Sequence, residues 1–255
     1  MDKYANIITE SFKAPKLVSV FIPTRTRFTL LQKSIKSLRE SMTNPADLEI
    51  LVAVDNDDVD TTSQLYLLGD IKVTIGKFVG YSGTAYRHNR MFELSTGEFL
   101  LLWGDDALMM TKGWDELIRK HKGQVCIPFS RDETTCFIHR AIPTAWGIFT
   151  PYYCAEIIYK LIALELGVYI RYDNLSVTNM PVSAVGREIG PPMPPDGWME
   201  YKDDIYKFTD SFKPYCIPIP SGPPLCKHPI NDVARGKIYY GAGAAGTPAI
   251  PPCIG

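Results

Sequence analysis

Three times in its N-terminal half the chain runs through a short apolar segment and stops abruptly in polar or charged residues. Residues 17–22 stop at Pro23-Thr24-Arg25, residues 48–54 at Asp55-Asn56-Asp57-Asp58, and residues 99–103 at Gly104-Asp105-Asp106. Such runs, rich in β-branched and aromatic residues and flanked by helical patterns, read as buried strands of a parallel sheet. The pattern between them changes period. Phe28, Leu31, Ile35, Leu38 and Met42 fall three and four apart, one face of a helix, with Lys33, Lys36, Arg39 and Glu40 opposite. A weaker strand fits residues 71–75 and a second helix residues 82–95, with Gly97 as its stop. Alternation at this spacing implies right-handed crossovers, which carry the polar strand ends to one edge of the sheet. That edge is where open α/β sheets bind ligands.

Beyond Asp106 the pattern predicts a short helix at residues 114–121 and strand material at 125–129. It goes on to a broad apolar helix at 154–166 and an extended segment at 169–177. After about Ile189 the composition shifts. Residues 190–195 and most of 213–255 are dense in Pro and Gly, which works against regular helix and internal strand. The expectation is a polar arm at 1–15, a main domain at 16–210 with halves 16–115 and 116–210, and an irregular extension at 211–255.

A formal net charge of −1 gives no support for a nucleic-acid surface. The six cysteines are widely spaced without a CxxC or Cys/His zinc pattern, which favours free thiols in a reducing compartment. The first residues lack the apolar core of a signal peptide, and no uncharged stretch is long enough to span a bilayer. These features predict a soluble, cytoplasmic protein.

The residues also resemble a known family. Val18-Ser19-Val20-Phe21-Ile22-Pro23-Thr24 is similar to the opening strand and nucleotide loop of the family 2 glycosyltransferases, which have the GT-A, nucleotide-diphospho-sugar transferase fold. Residues 49–57 resemble that family's second strand. Arg87-His88-Asn89-Arg90, then Ser95-Thr96-Gly97-Glu98-Phe99, then Asp105-Asp106 resemble its Asn-bearing helix, Gly-Glu-aromatic strand start and DxD-type motif, in order and spacing. The resemblance covers about residues 17–115 closely and 144–181 loosely. It implies an α/β fold with a mostly parallel, twisted sheet flanked by helices, and transfer of a sugar from a nucleotide-sugar donor to a hydroxyl acceptor with inversion.

The resemblance also implies a site. Pro23, Thr24, Arg25, Asp55, Asp57, Arg87, Asn89, Arg90 and Asp105 would line the donor nucleotide, a UDP-sugar in the first instance. Asp106 would ligate Mn²⁺ or Mg²⁺, hard cations that take carboxylate and phosphate oxygens, with Asp105 reaching the ribose or a metal-bound water. Residues 146–156 resemble the acceptor-side stretch and make Glu156 the candidate general base, with Asp173, Asp203 and Asp204 as weaker alternatives. Trp146, Tyr152 and Tyr153 either stack on a sugar or fill the core. Two departures fall on chemistry: Gly104 stands at the first position of the DxD motif, and no His occurs near Thr178 or Asn179, leaving His228 as the substitute metal ligand.

The acceptor stays open among a glycan, a lipid-linked sugar, a protein and a modified nucleic-acid base. Two other functions fit parts of the pattern. A nucleotidyltransferase would need a Gly-rich loop after the first strand, where this chain has Pro23-Thr24-Arg25-Thr26-Arg27. A non-catalytic sugar-nucleotide or glycan binder would account for Gly104 and the missing His.

Overall fold

The computed structural model describes residues 2–77, 82–181 and 197–219. Its elements run α1 (Lys3–Ser11), β1 (Lys16–Thr24), α2 (Phe28–Ser41), β2 (Leu48–Asp55), α3 (Val59–Gln64), β3 (Lys72–Gly76), α4 (Ser82–Leu94) and β4 (Gly97–Leu102). There follow β5 (Ala107–Met109), α5 (Trp114–Arg119), β6 (Ile127–Phe129), β7 (Phe137–His139), α6 (Ala141–Trp146), α7 (Ala155–Leu166), β8 (Tyr169–Arg171), β9 (Val177–Asn179) and α8 (Lys202–Phe212).

The main sheet has the order β3-β2-β1-β4-β7, parallel throughout except for antiparallel β7 at one edge. β1 and β4 are buried along almost their whole length, as expected of strands covered on both faces. Strand order reverses at β1, whose neighbours are β2 on one side and β4 on the other. Ligands of open α/β sheets sit at such a switch point, beyond the carboxyl ends of the strands.

Gly97 has a different role from the helix stop predicted for it. Helix α4 ends at Leu94, and Gly97 is the first residue of β4, where a Cβ would lie 2.5 Å from the Ser19 backbone nitrogen. Only glycine lets β4 approach β1 this closely. The Gly97 amide donates to Ser19 Oγ at 2.7 Å, and that hydroxyl donates to the buried Glu49 at 2.5 Å. Glu49 also accepts from the Thr96 amide at 2.7 Å and pairs with Lys72 at 2.5 Å, which fixes the starts of three strands together.

The segment read as a polar arm is helix α1, and it packs on α6 and, through Tyr4, edge-on against Phe212. Asp2 caps it by accepting from the Tyr4 amide at 2.9 Å. At the other end, residues 211–219 belong to the folded unit rather than to an irregular extension: α8 runs to Phe212, and the Ile219 amide donates to the Gly167 carbonyl at 3.0 Å. The extended segment read at 169–177 divides between two small sheets. β8 pairs parallel with β6, and β9 pairs antiparallel with β5. Among the described residues no helix is long and apolar enough to cross a membrane, and Cys126, Cys136, Cys154 and Cys216 are free thiols.

Candidate functional site

The predicted convergence of strand ends is present, and charge pairing organises it. Thr24 closes β1 and donates through Oγ1 to Asp105 Oδ2 at 2.8 Å, tying the end of β1 to the turn after β4. That turn is shaped from below by Ser34 of α2. Trp103 Nε1 donates to Ser34 Oγ at 2.7 Å, and that hydroxyl in turn donates to the Gly104 carbonyl at 3.1 Å. A Cβ on Gly104 would lie 2.8 Å from Asp106 Oδ1. Glycine therefore permits this placement of the Asp106 carboxylate, which a second acid at position 104 would displace.

Between β1 and α2 the chain turns at Thr26, whose φ of 54° is rare for a β-branched residue. The conformation is held by Asp58, which accepts from the Thr26 amide at 2.7 Å through one oxygen and caps α3 through the other, at 3.1 Å from the Thr61 amide. The two arginines flanking Thr26 go to different strand ends. Arg25 reaches Asp55 at 3.2 Å and Asp57 at 2.5 Å, beyond β2. Arg27 reaches Asp105 Oδ1 at 3.1 Å and Asp106 Oδ2 at 3.6 Å, beyond β4. Arg87 of α4 makes a second, buried ion pair with Asp55. Asp55, Asp57, Asp105 and Asp106 thus face Arg25, Arg27 and Arg87 across three strand ends. Burial pushes the Asp105 carboxyl up to about 6, against the opposing pull of Arg27 and Thr24. The Arg25 bidentate pair lowers the carboxyl of exposed Asp57.

The other predicted residues are not among the ion pairs of this cluster. Pro23 is half-buried within β1. Arg90 is exposed and pairs with Glu93 of its own helix. Asn89, predicted to line the donor cleft, spends its whole amide on the chain. Its Oδ1 accepts from the Phe149 and Thr150 amides at 2.8 and 3.2 Å, and its Nδ2 donates to the Thr150 and Ala85 carbonyls at 2.7 and 2.8 Å. It is a bracket from α4 to the segment leading into α7, which Tyr159 fastens again at the Phe149 carbonyl, 2.6 Å away. Glu156 stands in the first turn of α7, partly accessible, with its carboxyl raised by burial.

The aromatic residues of the acceptor-side stretch answer to packing. Trp146 stacks on Phe208 at 5.8 Å, and Tyr152 is buried against Tyr153 at 4.7 Å. Asp173 pairs with Arg171 at 3.1 Å, and Asp203 and Asp204 are exposed in the first turn of α8. His228 lies outside the described residues.

The donor set for a divalent cation is sparse. Strand β9 runs beside the acidic turn, pairing Asn179 with Ala107 and donating from the Met180 amide to the Asp106 carbonyl at 2.7 Å. It brings Thr178, Asn179 and Met180 to the place where a His was expected. Among the described residues no three His, Cys, Asp or Glu side chains cluster as metal ligands, and the Arg27 guanidinium already bridges the two carboxylates. Asp105 and Asp106 fit a guanidinium partner better than a resident cation.

The structure is similar to that of S. aureus TarS 1-349 in complex with UDP, with a TM-score of 0.56 and 14% identity over 75% of this chain and 65% of that one. The fold is of the GT-A type. TarS 1-349 in complex with UDP-GlcNAc matches equally well, with a TM-score of 0.56 and 12% identity over 75% and 66% of the two chains. In sequence, 109 residues are 33% identical to the GalNAc(5)-diNAcBac-PP-undecaprenol beta-1,3-glucosyltransferase of Campylobacter jejuni, which is 42% of this chain and 34% of that protein. The chain thus matches about a third of the length of this curated relative. No family model matches it. Arg27, which pairs with both Asp105 and Asp106, is the residue of this cluster that sequence reasoning passed over.

One neighbour of the site makes stability depend on pH. His88, beside Arg87, is buried against Phe149 with Nδ1 unpartnered among the described residues, and desolvation, aided by Arg87, lowers its pKa to about 4. The unfolded chain protonates near the ordinary value of 6.5 and so binds more protons between pH 6.5 and 4. Stability from this residue is full above pH 6.5 and falls as the pH drops, by about 2 to 3 kcal/mol at pH 4.5. His88→Leu should be close to wild type at pH 7.5 yet lose less on acidification, as urea titrations at the two pH values would measure. Equal acid losses in both proteins would refute this account.

Proposed function

We propose that this chain is a glycosyltransferase that moves a sugar from a nucleoside-diphosphate donor to a hydroxyl acceptor, with inversion. The observation that carries the reading is the alternating acid and guanidinium cluster at the switch point of a GT-A sheet. Guanidinium groups match phosphate oxygens in charge and geometry, and carboxylates match ribose hydroxyls and base amides. UDP is the first donor nucleotide to test, because solved GT-A neighbours are described in complex with UDP and UDP-GlcNAc.

In this reading Asp55 and Asp57 hold the nucleoside beyond β2, while Arg27, Asp105 and Asp106 set the diphosphate beyond β4. The acceptor oxygen attacks the anomeric carbon from the face opposite the diphosphate. Its proton passes to Glu156 as the bond to the β-phosphate oxygen breaks, and the nucleoside diphosphate leaves. No step is assigned to a divalent cation, given the sparse donor set. The acceptor is a hydroxyl compound whose class is set by the segments after β5, the more variable half of such folds.

Thermal unfolding in the presence of UDP, GDP, CMP and dTDP tests the donor half. One of them at about 100 times its Kd should stabilise the folded state by about 2.7 kcal/mol and raise Tm by about 5 to 10 °C. The matching sugar nucleotide should then be hydrolysed slowly to the free sugar. Stabilisation without turnover on any sugar would make this a binding protein, and release of pyrophosphate would make it a nucleotidyltransferase.

A further inference from the structure

We propose that Arg27 supplies the positive charge at the donor diphosphate, so that nucleoside-diphosphate binding by this chain needs no divalent cation. The inference rests on the donor reading above and names how that same site balances phosphate charge. Four observations converge on it. Arg27 Nη1 lies 3.1 Å from Asp105 and 3.6 Å from Asp106, the two carboxylates a cation would otherwise join. Nη1 makes the approach to both carboxylates and the side chain is 30% exposed, so the guanidinium keeps an accessible edge that can meet phosphate oxygens. The turn that delivers Arg27 stores backbone strain at Thr26 and is held in place by Asp58, the kind of over-determined geometry found at ligand clamps. Finally, Gly104 and the β9 residues Thr178 and Asn179, which adjoin the acidic turn, bring it no further carboxylate, imidazole or thiolate.

A guanidinium in this position does what a metal does for the leaving group, in part. It neutralises charge that develops on the β-phosphate oxygens, with two parallel hydrogen bonds in place of a coordination bond. Asp105 and Asp106 then act as positioning residues for Arg27 rather than as ligands. The pairing also accounts for the adjacency of the two acids after a single glycine, since one guanidinium nitrogen reaches both.

Calorimetric titration of the full chain with UDP, GDP, CDP, ADP and dTDP, in EDTA and then in excess Mn²⁺, tests the inference. At least one nucleotide should bind in EDTA with a Kd that changes less than about threefold on adding Mn²⁺, and Arg27→Ala should weaken that binding at least tenfold. Arg27→Gln, which keeps the stem volume without the charge, should show the same loss and covers the case in which the alanine variant folds poorly. A structural role alone would not predict the second readout. With Arg27 removed, the freed Asp105-Asp106 pair should take up Mn²⁺ more tightly than wild type, seen by loss of the free Mn²⁺ electron-spin-resonance signal. Binding that vanishes in EDTA and returns with Mn²⁺, or Arg27 variants that bind like wild type, would overturn the inference while leaving the donor reading intact. If no nucleoside diphosphate binds under either condition, the donor reading fails and takes this inference with it.

Discussion

Arg87→Ala should cost about 3 kcal/mol of unfolding free energy, read as a lower urea midpoint at pH 7.5 with an unchanged m value. Asp55 is only 1% exposed, and among the described residues two cations balance it, Arg87 and, at 3.2 Å, Arg25. Removing Arg87 strands part of that charge away from water, and such half-broken buried pairs lose about 3 to 5 kcal/mol. Arg25 is more exposed and divides its guanidinium between Asp55 and Asp57, so it replaces the lost partner incompletely. The control is the double variant Asp55→Asn with Arg87→Ala, which removes the stranded charge along with its partner. It should be more stable than the sum of the single effects by at least about 1 kcal/mol. A loss below about 1 kcal/mol in Arg87→Ala, or strict additivity, would mean that the pair is not an element of the folded state.

The same pair shows what in this molecule is written locally and what is not. β1, β2 and β4 were legible because each is long enough for its apolar run to stand out, and because the helices between them carry a clear three-and-four spacing. The acids at their ends followed from the topology. β5 and β7, by contrast, are three residues each, too short to show a period, and their pairing is decided by partners far away in sequence. Helix α1 looked like a polar arm because its anchoring contacts, Tyr4 on Phe212 and Tyr215 on Asp2, come from the opposite end of the folded unit.

Side-chain roles divide in the same way. Asp105 and Asp106 were identifiable from their place after an apolar strand, but their partner was not. Nothing near Arg27 in the sequence distinguishes it from Arg25, and the strained Thr26 between them sends the two in different directions. Asn89 matched a helix motif, yet its contacts are set largely by carbonyl and amide groups about sixty residues away, in the segment leading into α7. In sequence Asp58 is one more acid where the second apolar run stops. Its signal was available, since an Asp three residues before Thr61 at the start of a short helix is a cap, although its second bond, to Thr26, was not.

Glu156→Gln should lower transfer and donor hydrolysis by about a hundredfold to ten-thousandfold, while the Kd for the nucleoside diphosphate stays within about twofold of wild type. The glutamine keeps size and a hydrogen-bonding oxygen but cannot take the acceptor proton. The pH profile carries the discriminating information. Burial raises the Glu156 carboxyl above its ordinary 4.5, so the wild-type rate should climb with pH until the group is ionised and then level off. In the variant the low residual rate should lack that limb. The same sign applies to stability: ionising a carboxyl whose pKa is raised in the folded state costs stability, so Glu156→Gln should gain relative to wild type as the pH rises through that pKa. Loss of activity together with a gain in stability at neutral pH is the signature of a partly desolvated base, whereas an acid that merely favours the start of α7 through the helix dipole would lose stability on the same substitution. Asp203→Asn, made in the exposed first turn of α8, should change neither rate nor profile; a hundredfold loss there, with Glu156→Gln active, would move the base to α8.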